Sequence, residues 1–448
     1  MKRLRLKAVI ASLLLISSPL AMAAETMDLL KVYEAAKRQD PVIEAARRAA
    51  AAGSEAAVQG RALLLPAVNA TADYSYSYLE SRYSPSNPFI PNISETFDSY
   101  SYGINVTQAL FDKTRYASYQ QGLVNAAQAD TNLQLAEQDL ILRVAEGYFN
   151  VLSAQASLEV AESQKKAFAE SLERANLTFK IGTATITDKL EAQARYDLAR
   201  ADEIAAANTL EVARQSLRSI IGEPPGELLP LREDAVLPPL QPRNMDTWVQ
   251  RALDHNVELR LAEQGVQLSK QEIAKARGSR YPTLNLVANA ARQVQYSPFA
   301  DADNEINRVS LAVQLNMPLY TGGLNSSRVR QAVSARDEAA QKQEQTRRQI
   351  SLQAQQRYLE ALNGLQRVEA LTQALASSAS ALEATRKGLE VGVRTNLDLL
   401  NAQQQFYSTK RDLAVAKYNY LLSLLQLKAA SGMLAEQDLQ QMSHLLGR

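Results

Sequence analysis

The chain has 448 residues, with 49 lysines and arginines against 48 acidic residues, no cysteine and two histidines. A formal net charge of +1 gives no footprint for nucleic acid, and the lack of thiols excludes a disulfide framework and thiolate metal sites. His255 and His444 share no motif, so neither a zinc site nor histidine catalysis is expected, and no cofactor is called for.

The opening MKRLRLK is a basic head, AVIASLLLISSPL is an apolar run too short to span a bilayer, and Ala21-Met22-Ala23 reads as an A-x-A cleavage site. Residues 1–23 are therefore expected to be a secretory signal peptide. No later segment approaches the roughly 20 apolar residues of a transmembrane helix, so any membrane crossing needs another device. From Met27 to about Leu64 good helix formers dominate, with a break at Pro41, which predicts a helix or helical pair.

The period then changes. Val68, Ala70, Ala72, Tyr74, Tyr76 and Tyr78 alternate with polar residues, and beyond the loop SRYSPSNPFIPNIS the same alternation resumes at Tyr100, Tyr102, Ile104 and Val106. A hairpin is expected over about 66–110, and a second over about 283–319. There Leu284, Leu286, Ala288 and Ala290 precede the loop SPFADADNEIN, and Val309, Leu311, Val313, Leu315 and Met317 follow it. Four strands of about ten residues each suit a tilted membrane crossing, with tyrosines at a girdle. The competing reading is a soluble antiparallel sheet with one dry face.

Each hairpin leads into a proline-free segment, Thr114 to about Ile181 and Ser326 to about Val391, which predicts two helices of about 100 Å. Val368, Leu375, Leu382 and Leu389 stand seven apart, and Leu140, Val144, Tyr148, Val151 and Ala154 follow threes and fours, as in left-handed coiled coils. Shorter helices return from about Asp188 and Asp398. The turns read IGTATITD at 181–188 and VGVRTNLD at 391–398, an offset of about 210 that also places Tyr358 on Tyr148 and Gly432 on Gly222. The chain is thus expected to be a duplication, 24–221 and 246–432, joined by a proline-rich linker at 222–245 and ending in a segment at 433–448.

Locally, Gly182 and Gly392 suit the stop after a helix, and Thr185 with Asp188, like Thr395 with Asp398, fits a capping box. Capping does not account for Arg394, which stands where the first copy has Ala184. Four strands leave two edges that lipid cannot tolerate, so other chains must close the sheet, and the arithmetic leaves two, three or four chains open. The expected fold is mainly α with a small β part: long helices forming an α-barrel, joined to a transmembrane β-barrel with four strands per chain. No nucleophile with a base, phosphate loop or metal cluster suggests an enzyme. A secreted coiled-coil or adhesin-like stalk without a pore is the alternative, although it should lack two repeated hairpins.

MDLLKVYEAAKRQDP, LLLP, YFNVL, PLYTGG, VGVRTNLDLLNAQ and AKYNYLLSLLQLKAASGML occur in the order found in TolC-type outer-membrane channel proteins, which the chain resembles over its whole mature length. That resemblance implies a homotrimer, a twelve-stranded barrel in outer-membrane lipid, a helical periplasmic tunnel and an equatorial collar from the linker and C-terminal segment. It also implies an exit duct for type I secretion or multidrug efflux, partnered by a periplasmic adaptor and an inner-membrane ABC, RND or MFS transporter. Carried over by position, Arg394 pairs with Thr187 and Asp188, Asp398 supplies an acidic ring, and the adaptor meets the tips at Gly182, Thr185, Gly392 and Thr395. Leu389 and Asn401 depart from the family pattern, which expects a gate tyrosine and a second ring aspartate there.

Overall fold

The computed structural model describes residues 26–82, 92–232, 234–297 and 302–447; the expected signal segment lies outside them. After a two-residue strand β1 (Thr26–Met27) come α1 (Leu29–Gln39) and α2 (Pro41–Ala62). Asp40 makes the break. Its N–H closes α1 on the Ala36 carbonyl, its carboxylate accepts the Ile43 N–H at 3.3 Å, and Pro41 occupies the first turn of α2, where a missing N–H costs nothing. Asp40 is 2% exposed, and its charge is compensated by Arg143 at 2.6 Å.

Strands β2 (Ala67–Ser81) and β3 (Ile93–Phe111) lead into α3 (Lys113–Lys180) and α4 (Ile186–Ile221). A two-residue β4 (Glu227–Leu228) precedes the second copy: α5 (Met245–His255), α6 (Val257–Gly278), β5 (Thr283–Ser297), β6 (Ala302–Asn316), α7 (Leu324–Glu390), α8 (Asn396–Ala430) and a final α9 (Glu436–Ser443). Asn256 repeats the role of Asp40 between α5 and α6, capping Glu258 and Leu259, but its amide donates to the Ala430 carbonyl at 3.0 Å instead of meeting a charge.

Strands β2, β3, β5 and β6 form one antiparallel sheet in that order. Val68, Val106, Ala288 and Leu311 lie in one cross-strand row, while the next row is Asn69, Asn105, Asn289 and Ser310. Adjacent rows face opposite sides, so one face is apolar and the other polar. The strands run 15, 19, 15 and 15 residues, longer than the ten expected. The expected loop SPFADADNEIN is shorter too, because β6 already starts at Ala302. Backbone pairing continues where apolar alternation stops: Glu305 lies opposite Val294 and pairs with Arg292 at 2.8 Å, a charged contact across the hairpin.

Helix α3, at 68 residues, packs along α2, α4, α6 and α8, so it forms the spine of the chain. The main core gathers Leu140, Val144, Tyr148, Phe149 and Leu152 of α3 with Leu421, Leu424 and Leu425 of α8. Around it the linker is stapled by tyrosines. Tyr148 donates to the Leu229 carbonyl at 2.8 Å, Tyr420 donates to the Pro238 carbonyl at 2.5 Å, and the Tyr418 oxygen accepts the Leu231 N–H. Parallel pairing of β1 with β4, a bridge from Leu231 to Leu446, and the ion pairs Lys428–Asp438 and Lys37–Glu436 bring the first and last described elements to the same level. Among the described residues no helix is long and apolar enough to cross a membrane.

Candidate functional site: the two helical tips

Both tips stop and restart a helix by the same chemistry. At the end of α3, the Thr183 N–H bonds to the Thr178 carbonyl at 2.9 Å and the Gly182 N–H to the Phe179 carbonyl at 3.1 Å. At the end of α7, Val393 bonds to Gly388 at 2.9 Å and Gly392 to Leu389 at 3.1 Å. This pair of hydrogen bonds is a Schellman closure, and it requires a left-handed residue, supplied by Gly182 at φ 79° and Gly392 at φ 80°. Three residues later each returning helix opens on a reciprocal cap. Asp188 accepts both the N–H and the hydroxyl of Thr185 at 2.9 and 2.7 Å, and Asp398 accepts those of Thr395, both at 2.9 Å. The Asp188 and Asp398 N–H groups donate back to the threonine oxygens.

The second tip differs in charge. The Thr395 N–H, and after it the Thr395 hydroxyl, hold the Asp398 carboxyl below its ordinary value, partly opposed by desolvation, with a smaller pull from Arg394. Arg394 itself lies against its own hairpin: its N–H donates to the Gly388 carbonyl at 3.2 Å and its side chain covers Gly388, where an added Cβ would meet the arginine Cγ at 2.7 Å. Among the described residues, no hydrogen bond or ion pair joins Arg394 to Thr187 or Asp188 within the chain. Thr187 sits in the exposed first turn of α4. The tips also expose aliphatic side chains, with Ile181, Val391 and Val393 each more than 70% accessible.

Above the tips the seam between the hairpins carries a row of polar contacts that sequence reading did not anticipate. Arg195 of α4 donates to Asn401 at 3.0 Å, Ser171 of α3 to Gln403 at 3.2 Å, and Gln164 of α3 to Gln404 at 2.9 Å. Ser171 and Gln403 are buried, so these bonds replace water lost from both partners. The signal was present in Gln403, a polar residue on an otherwise apolar helical face, but its partner lies 232 positions away. Asn401, at the position of the expected second ring aspartate, joins the two hairpins instead of adding charge.

The model of the outer membrane efflux protein family matches this chain twice, over residues 32–223 and 248–433, one match per repeat. The outer membrane protein TolC of Vibrio cholerae is 33% identical over 423 residues, covering 94% of each chain. The proteases secretion protein PrtF of Dickeya chrysanthemi is 30% identical over 444 residues, covering 98% of this chain and 95% of its own. In fold, the chain is similar to a membrane protein from Pseudomonas aeruginosa, with a TM-score of 0.78 at 18% identity and 91% of each chain covered.

Proposed function

Given that this chain belongs to the outer membrane efflux protein family and is an outer-membrane export channel, we propose that it works as one third of a homotrimeric tube. The observation that carries this reading is the four-stranded sheet: one face is apolar and strongly exposed at Val309, Leu311, Val313 and Leu315, and its outer strands β2 and β6 each have one edge with no strand beside it among the described residues. Unpaired backbone groups cost several kcal/mol each in hydrocarbon, so lipid exposure of the apolar face demands that β2 of one chain pair with β6 of the next. Three chains close about twelve strands. The polar rows at Asn69, Asn105 and Asn289 then line water, and the long helices continue the tube into the periplasm. The linker and the C-terminal segment form a collar around it.

Export through the tube requires no chemistry from this chain. A periplasmic adaptor docks at the tips around Gly182, Thr185, Gly392 and Thr395, and an inner-membrane ABC, RND or MFS transporter supplies cargo and energy. Similarity to a protease secretion protein favours protein export, and efflux of small molecules uses the same duct. In the closed tube Arg394 reaches Thr187 and Asp188 of the adjoining hairpin across the subunit seam, while three Asp398 carboxylates narrow the entrance. A charge-assisted pair contributes about 1.5–3 kcal/mol where it is partly buried and less where exposed, which docking partners can supply by competing for the same groups. Arg394→Ala is expected to raise single-channel conductance several-fold in a correctly assembled trimer. Unchanged conductance would remove Arg394 from the gate.

A further inference from the structure

The level where strands give way to helices carries an unbalanced ring of cations. Arg61 ends α2, Lys113 begins α3, Arg277 and Arg280 lie at the end of α6 and just beyond it, and Arg328 and Arg330 occupy the first turns of α7. Among the described residues none of these six forms an ion pair with a carboxylate. Among the described residues the Arg280 guanidinium donates to the Ser326 hydroxyl, at 3.3 Å, and to no carboxylate. Nearby Arg115 behaves differently, being tied to Asp112 and to the Leu63 carbonyl. The two repeats meet at this level: a Cβ on Gly278 would stand 2.9 Å from the Thr114 nitrogen, and the Lys113 ammonium from the first repeat lies 3.5 Å from the ring centre of Tyr281 from the second.

Directly on the sheet side of these cations the surface is apolar and aromatic, with Leu63 and Leu65 exposed and Leu319 and Tyr320 almost fully so. Toward the opposite strand ends the sign reverses: Glu80, Glu95, Asp98, Asp303 and Glu305 stand there against Arg82 and Arg292, and two of the acids are already paired with arginine, while Arg308 lies in mid-strand. An apolar band therefore separates a basic, aromatic margin from an acidic one. Guanidinium and ammonium groups held beside an apolar surface match phosphate in geometry and charge, and tyrosine favours the same depth of a bilayer.

We propose that this strand-to-helix margin is a binding belt for anionic phospholipid headgroups of the periplasmic leaflet, with Lys113, Arg277, Arg280 and Arg328 as its phosphate contacts. The proposal rests on the reading that the sheet is embedded in the membrane. The belt fixes the depth of the tube and opposes tilting when partners pull on the helices.

The test uses the assembled mature protein in nanodiscs of phosphatidylcholine containing phosphatidylglycerol, with native mass spectrometry reading the lipids that stay bound. The expected result is an enrichment of phosphatidylglycerol over its bulk fraction of about threefold or more. It should fall to near unity in Lys113→Gln/Arg277→Gln/Arg280→Gln/Arg328→Gln and persist in Arg292→Gln at the other margin. Bulk composition around the wild-type protein would overturn the belt, as would undiminished enrichment in the fourfold variant. The wild-type measurement decides the matter even if that variant fails to assemble. Insertion and conduction in pure phosphatidylcholine, read separately, distinguish failure of the belt from failure of the embedded sheet: a conducting protein without lipid preference loses only the belt, and a protein that never inserts loses both.

Discussion

At the second tip, Asp398 restarts a helix, and in the proposed tube the same carboxylate faces the entrance. Its pKa is depressed by hydrogen bonds from Thr395, so the ionised form is favoured in the folded protein, and the associated stabilisation is present above the ordinary value of 3.8 and lost only as pH falls through the depressed value. The cation preference of the pore should therefore persist as the tip-side bath is acidified through the usual carboxylate range. Asp398→Asn should remove most of that preference at every pH, whereas Thr395→Ala should move its loss upward toward the ordinary value, as read from reversal potentials. A preference that disappears at the ordinary carboxylate value in the wild type would separate the cap from the charge. The glycine stops and threonine caps were legible in the sequence because each is completed within six residues. The placement of Arg394 over Gly388 was not, since a long side chain can lie on its own hairpin or reach another, and residue type does not choose.

Among the elements, the long helices were legible because nothing in their sequences interrupts them and their apolar spacing is regular. The sheet was legible in its two hairpins and its faces, but the pairing of β3 with β5 was not, and its strands run further than their apolar alternation. Two contacts were beyond reach: β1 with β4, two residues each and far apart in the chain, and the polar seam from Gln164 to Gln404, whose partners share no local pattern. The tyrosine staples can be tested by pH. Burial raises Tyr148 and Tyr418 and pushes Tyr420 up to about 12, so their stabilisation is complete below the ordinary value of 10 and is lost as pH rises from there toward 12. Thermal melts of the detergent-solubilised protein should weaken over that window. Tyr420→Phe should cost about 1 kcal/mol at neutral pH, through the unfilled Pro238 carbonyl, and flatten the alkaline loss. An identical alkaline profile in that variant would locate the loss elsewhere.

Over the whole molecule, the seam between the two hairpins changes character along its length. Near the linker it is a dry core of Tyr148, Phe149, Leu421 and Leu425, and toward the tips a smaller apolar cluster around Phe168, Ala175 and Leu400 is accompanied by the polar row ending at Arg195 and Asn401. Close-packed apolar side chains resist displacement, while the exposed Arg195–Asn401 bond can exchange its partners for water, so the seam is firmer near the linker than at its last contact before the tips. The duplication gives each chain two hairpins of one design, and the difference between Ala184 and Arg394 places an arginine at only one of the two turns. The sequence dictated that the sheet needs other chains without fixing their number; three came from the family resemblance. The most direct test is single-channel recording from the purified mature protein in a planar bilayer, with its subunit number measured on the same preparation. Small, discrete, cation-preferring steps from a species of three chains are predicted. A folded species of another subunit number, or a trimer silent both as wild type and as Arg394→Ala, would contradict the account.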